Sequence, residues 1–133
     1  MKRVLTVGVF DYFHYGHYKL FERAAQFGDS LIVAVQDGDY ILKYKPQAKI
    51  LYTTEQRLEL IKALRLVHEI VIYFDVDSIV KQVDFDVFVV GKDQNHSGFL
   101  RAIEWCNENN KEVVHLERTK GISSSSIKEE IGK

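Results

Sequence analysis

Short apolar runs recur along the chain at Val4–Val9, Leu31–Val35, Ile70–Phe74, Val87–Val90 and Val113–Leu116. They are nearly continuous rather than alternating with polar residues, the pattern of strands covered on both faces of a parallel sheet. Between them the apolar period lengthens to that of a helix. Leu20, Phe21, Ala24 and Ala25 form one stripe, closed by Gly28. Leu58, Ile61, Leu64 and Leu66 form a second, introduced by Thr53 with Gln56 three residues on, a capping box. Phe99, Ala102, Ile103 and Cys106 form a third, and residues 124–131 read as a short last helix capped by Ser123 or Ser124.

Strands alternating with helices predict an α/β fold: an open, Rossmann-like parallel sheet of five strands, with right-handed crossovers and helices on both faces. No repeat, low-complexity tract or linker divides the 133 residues, so one domain over 1–133 is expected. Residues 36–52 form the longest irregular stretch and hold the only proline, Pro46. A loop of that length in a compact domain is more often functional than idle. Open α/β sheets bind ligands beyond the carboxyl ends of their strands. Polar segments stand there after the first strand (GVFDYFHYGH), the second (QDGDYILKYK), the fourth (GKDQNHSG) and the fifth (ERTKGISSSS).

Composition narrows the partners. Hydrophobic residues make up 46% and charged residues 28%, which argues against disorder. A net charge of −1 provides no global field for nucleic acid or an anionic membrane, so any anion site must be built locally. The single cysteine, Cys106, excludes an internal disulfide framework and fits a reducing compartment. The opening MKRVLTVGVF has a basic start, but its apolar run is short and no small-residue cleavage site follows. A buried strand in a cytoplasmic protein is expected, with no membrane span.

His14 and His17 flank Gly16 where the first strand gives way to a helix. Zinc needs three or four ligands; Cys106 lies on a helical stripe, and His68, His96 and His115 are scattered. A turn with capping histidines and a phosphate cradle both remain open. For the cradle, the free N–H groups of a starting helix and two imidazole donors would hold a polyphosphate. Gly16 permits close backbone approach, Asp11 can orient a cation or a histidine, and Phe10 can pack beneath the turn. At the far end Arg118 offers a planar fork for phosphate oxygens, Gly121 frees the turn, and the serine run starts a helix anchored by Ile122 and Ile127.

The segment G-x-F-D-x-x-H-x-G-H after an N-terminal strand resembles the signature of the HxGH nucleotidyltransferase superfamily. ERTKGISSSSIKEE resembles the R-T-x-G-I-S-[ST]-[ST] signature of its cytidylyltransferase branch, and small bacterial glycerol-3-phosphate cytidylyltransferases look most similar over the whole chain. The resemblance implies CMP transfer from CTP to a phosphorylated small metabolite: glycerol 3-phosphate or a related polyol, amino-alcohol or amino-acid-derived phosphate. A CDP-linked product for cell-surface polymer, capsule or lipid synthesis would result, with Mg²⁺ as cofactor, a homodimer as the assembly, and no nucleic-acid or membrane partner.

By that resemblance His14, His17, Lys45 and Arg118 are catalytic. Val9, Phe10, Gly16, Lys43, Gly91, Asp93, Thr119, Gly121, Ile122, Ser123 and Ser124 bind nucleotide alongside His17 and Arg118. Asp37, Asp39, Arg57, Arg65 and Gln94 face the acceptor, and Asp11 is the carboxylate expected at the metal. Arg57 and Arg65, eight apart, would share one face of the predicted helix. Three positions depart from the pattern: Val9 replaces a threonine, Gly38 replaces an aspartate between Asp37 and Asp39, and Gln94 replaces a tryptophan. An ATP-dependent adenylyltransferase acting on a sugar phosphate, a non-catalytic nucleotide-binding module and a metal-binding regulator are the competing readings; RTKGIS and the intact histidines speak against the first two.

Overall fold

A computed structural model describes residues 1–11, 13–91, 94 and 96–116. The elements run β1 (Arg3–Gly8), α1 (Tyr15–Ala25), β2 (Ser30–Gln36), α2 (Gly38–Tyr44), α3 (Thr54–Lys62), β3 (Glu69–Tyr73), α4 (Val76–Gln82), β4 (Val87–Gly91), α5 (Ser97–Glu108) and β5 (Glu112–Leu116). The strands form one parallel sheet in the order β3-β2-β1-β4-β5. The chain winds outward from β1 in one direction and then returns to start β4 on its other side. The point where the order reverses lies between β1 and β4.

Alternation along each strand sends side chains to two separate cores. Val4, Leu31, Val33, Val87 and Val89 pack against Phe21 and Ala24 of α1 and Ile61 of α3. Leu5, Val7, Ile32, Phe88 and Val90 face Ile79 and Val80 of α4 and Phe99, Ala102 and Cys106 of α5. Both faces of the central strands are therefore apolar, as the uninterrupted runs require. The five strands and the open parallel architecture agree with the sequence reading. Cys106 is a buried free thiol whose pKa burial raises to about 11, so it acts as a core apolar group.

Several boundaries differ. The irregular stretch 36–52 contains α2, because Asp37 caps it: its Oδ2 accepts the Tyr40 amide at 2.9 Å. The Thr53–Gln56 capping box forms as expected. Helix α3 nevertheless ends at Lys62, so Leu64 and Leu66 pack from the following turns and Arg65 lies beyond the helix. Helix α4 is absent from the sequence reading; Val76, Ile79 and Val80 are its buried face. The expected last helix falls outside the described residues.

Candidate active site

The turn after β1 is built by one folded-back ring. Phe10 adopts a left-handed backbone (φ 55°), rare for a bulky residue. Its ring folds under Gly8 so closely that a Cβ there would lie 2.8 Å from Phe10 Cζ. Gly8 is thus the only residue type that fits the strand end. The ring also meets Phe21 edge-on at 4.9 Å and His17 at 5.5 Å, making it a strut between the core and the histidine turn. Phe10 is buried, so a nucleotide would meet only its backbone.

Asp11, expected at a metal, is instead buried, with its two oxygens accepting the backbone amides of Leu51 (2.6 Å) and Tyr52 (3.0 Å). It ties the approach to α3 onto the β1 turn. Arg57 completes the tie from the other side. Fully buried, its guanidinium donates to the carbonyls of Val9 (2.8 Å), Gln36 (2.8 Å) and Tyr52 (3.3 Å) and to Thr54 Oγ1 (3.2 Å). Val9 and Gln36 lie at the carboxyl ends of β1 and β2, where parallel strands leave carbonyls unpaired. Burial lowers the Arg57 pKa, opposed by the charges of Asp11 and Asp37. Arg57 is therefore a clamp rather than a substrate contact, and exposed Arg65 does not share its environment. The same clamp crowds Gly38: a Cβ there would stand 3.1 Å from Thr54 Oγ1 and 3.2 Å from Arg57 Nη2, so the expected aspartate would require these side chains to shift.

His14 is the N-cap of α1. Its Nδ1 accepts the Gly16 amide at 2.9 Å, while His17 Nδ1 accepts the His14 amide at 3.4 Å. The rings stack with centroids 3.9 Å apart and 17° between planes. With both Nδ1 atoms accepting, each neutral ring carries its proton on Nε2. Burial lowers the pKa of His14. In His17, burial and then the neighbouring His14 push it down to about 4, against a small opposing effect of Asp11. Both imidazoles are uncharged donors at neutral pH. His14 Nε2 is buried and has no partner among the described residues, an arrangement that favours an incoming acceptor atom.

Gln94 occupies the reversal between β1 and β4. Its Nε2 donates to Val7 O at 2.8 Å, and its Oε1 accepts the Gly91 amide at 2.9 Å. The expected acceptor-binding amide is thus committed to joining two strand ends. Beside it opens a cavity of about 620 Å³ whose lining includes Gly8, Val9, Gln94 and Lys45. Asp37 serves as the α2 cap, and Asp39 is exposed on the first turn of that helix. Lys43 lies over the Tyr44 ring at 5.6 Å. Asp93, Arg118, Thr119, Gly121, Ile122, Ser123 and Ser124 lie outside the described residues.

The structure adds residues to which the sequence assigned no individual binding role: Tyr40, Phe74, Asp75, His96 and Arg101 also line the cavity. Phe74 and Asp75 directly follow β3, the one strand end whose residues carried no recognised motif. Among the described residues, no group of three or more His, Cys, Asp or Glu could hold a metal. Asp11, the carboxylate expected at the metal, has its two oxygens accepting the backbone amides of Leu51 and Tyr52. Nor is any described helix long and apolar enough to cross a membrane.

The chain is similar to known proteins over nearly its whole length. A family model described as cytidylyltransferase-like matches residues 5–130. The chain is 38% identical to glycerol-3-phosphate cytidylyltransferase of Bacillus subtilis, covering 98% of both chains. It is 34% identical to FAD synthase of Thermococcus sibiricus, over 86% of this chain and 79% of that one. The structure of a lipopolysaccharide core biosynthesis protein from Thermoplasma volcanium superposes with a TM-score of 0.73 at 25% identity, over 92% of this chain and 99% of that one. The chain belongs to the cytidylyltransferase-like family and is a nucleotidyltransferase.

Proposed function

We propose that this enzyme transfers CMP from CTP to the phosphate of a small metabolite, forming a CDP-linked product and pyrophosphate. The observation that carries the reading is the pair of neutral, stacked imidazoles at the start of α1, one with a buried, unpartnered Nε2 donor. An acceptor phosphate oxygen attacks the α-phosphorus of CTP in line; the bond to the β-phosphate breaks and pyrophosphate leaves with its electron pair. A phosphate monoester is already a competent nucleophile, so no covalent enzyme intermediate is needed. Positioning and charge stabilisation remain for the protein. His14 and His17 donate to the oxygens on which charge accumulates, and Arg118, Thr119 and the serine run bear on the nucleotide from the far end of the chain. The relatives named glycerol-3-phosphate cytidylyltransferase support CTP as donor, and Mg²⁺ would enter with CTP, held by phosphate oxygens and water.

The cavity is the acceptor's place in this reading, because Gly8 and Val9 at the end of β1 and Gln94 after β4 line it at the reversal of strand order. The reading also takes the protein as a cytoplasmic homodimer whose product supports cell-surface polymer, capsule or lipid synthesis. Similarity to FAD synthases makes ATP the donor to compare. Pyrophosphate release measured with each nucleoside triphosphate and a panel of acceptor phosphates tests the reading: CTP should support turnover, and preference for ATP would contradict it.

A further inference from the structure

The cavity lining divides by charge into two sets. One set is aromatic and acidic. The Tyr40 ring lies 4.7 Å from Tyr44 and 5.7 Å from Phe74, and its hydroxyl donates to Asp75. Hydrogen bonding to Asp75 is the main reason the Tyr40 pKa is raised to about 12, with burial and the charges of Asp75 and Asp77 acting in the same direction. The other set is basic. Lys45, His96 and Arg101 line the cavity, and Arg101 Nε donates to Asp77 at 2.9 Å where the two sets meet. His96 Nδ1 accepts the Gly98 amide at 3.2 Å, so the neutral ring carries its proton on Nε2 as a donor. Lys45 and Arg101 both add, after burial, to holding His96 uncharged.

An acceptor that is only an anion would make no use of the exposed aromatic faces or of the Asp75 carboxylate beside them. Tyr44 and Phe74 are exposed at this edge, and Asp75 presents a carboxylate that accepts from the Tyr40 hydroxyl. Clustered aromatic faces with a nearby carboxylate favour an organic cation, whose charge the ring quadrupoles attract. Cations and a neutral imidazole donor favour phosphate oxygens. We infer that the acceptor is a zwitterionic phosphomonoester, a small phosphorylated amine with its ammonium among Tyr40, Tyr44, Phe74 and Asp75 and its phosphate toward Lys45 and His96. The inference rests on the CTP-dependent transfer proposed above and names the class of acceptor for that transfer.

The test compares phosphocholine, phosphoethanolamine, glycerol 3-phosphate and ribitol 5-phosphate as acceptors for CTP-dependent pyrophosphate release by the whole protein, alongside CTP binding by calorimetry. The expected result is a kcat/KM at least tenfold higher for an amine phosphate than for either polyol phosphate. Tyr44→Ala should raise the KM for that amine at least tenfold with KM for CTP unchanged, and Tyr44→Phe should restore it. Lys45→Ala should weaken all four acceptors alike. CTP-dependent turnover that prefers glycerol or ribitol phosphate overturns the zwitterion while leaving the transfer reaction standing. An equal effect of Tyr44→Ala on amine and polyol also overturns it. Absence of CTP binding and of turnover with every acceptor instead contradicts the transfer reaction itself, and the inference falls with it.

Discussion

His14 and His17 hold each other through the backbone: the amide of His14 donates to His17 Nδ1, and the two rings stack at 3.9 Å. His14 Nδ1 is in turn fixed by the Gly16 amide. The spacing His-x-Gly-His therefore performs two tasks. It caps α1, and it turns both Nε2 donors away from the backbone that holds the rings.

Protonating either ring places a proton on an Nδ1 that now accepts a hydrogen bond, so acid should loosen the turn. The folded pKa of His17, about 4, lies below its ordinary value of 6.5. Between these two values the unfolded chain binds more protons than the folded one, so stability falls as pH drops from 6.5 toward 4. The stabilisation is fully present above pH 6.5, and its loss by pH 4 is at most roughly 3 kcal/mol. Urea unfolding across pH 4 to 7 checks this, and His17→Ala should flatten the dependence in that window.

Arg57→Ala removes the donors for three strand-end and loop carbonyls and leaves a cavity beside them. A loss of about 3–5 kcal/mol in unfolding free energy is expected. Arg57→Lys should recover little of it, because one ammonium cannot reproduce the fork that reaches Val9, Gln36 and Tyr52 together. Denaturant midpoints of the two variants measure both statements.

Gly8 and Phe10 should behave as one unit. Gly8→Ala drives a methyl into the Phe10 ring at 2.8 Å and should destabilise the fold by about 1–3 kcal/mol. Phe10→Leu empties part of that space at a cost of its own. In the double variant the penalties should sum to less than their parts, by on the order of 1 kcal/mol, which a double-mutant cycle on thermal or urea unfolding resolves.

Much of this was legible in the sequence, for physical reasons that differ by element. The five strands are apolar on both faces, so their runs are continuous and unmistakable. The Thr53–Gln56 box and the glycine between two histidines carry local geometry in a few residues. Helix α2 escaped because its only strong signal, Asp37 as cap, sits among residues that resemble a ligand loop. Arg57 resembles a phosphate contact in sequence, yet its guanidinium meets carbonyls from two separate strand ends, a tertiary arrangement no spacing reveals. Gln94 is similar: a polar residue whose amide joins the neighbouring Gly91 to Val7, which lies 87 positions from Gln94 in the chain. Tyr40, Asp75, His96 and Arg101 come together only because the strand order places the ends of β2, β3 and β4 along one edge.

The central claim is that the two uncharged imidazoles stabilise charge during transfer from CTP. Steady-state pyrophosphate release from CTP with the preferred acceptor phosphate, by the natural enzyme and by His14→Ala and His17→Ala, tests it most directly. Each variant should lose about 10²–10³-fold in kcat, the effect of removing one preorganised donor, while CTP still binds. Undiminished kcat in either variant would contradict the account.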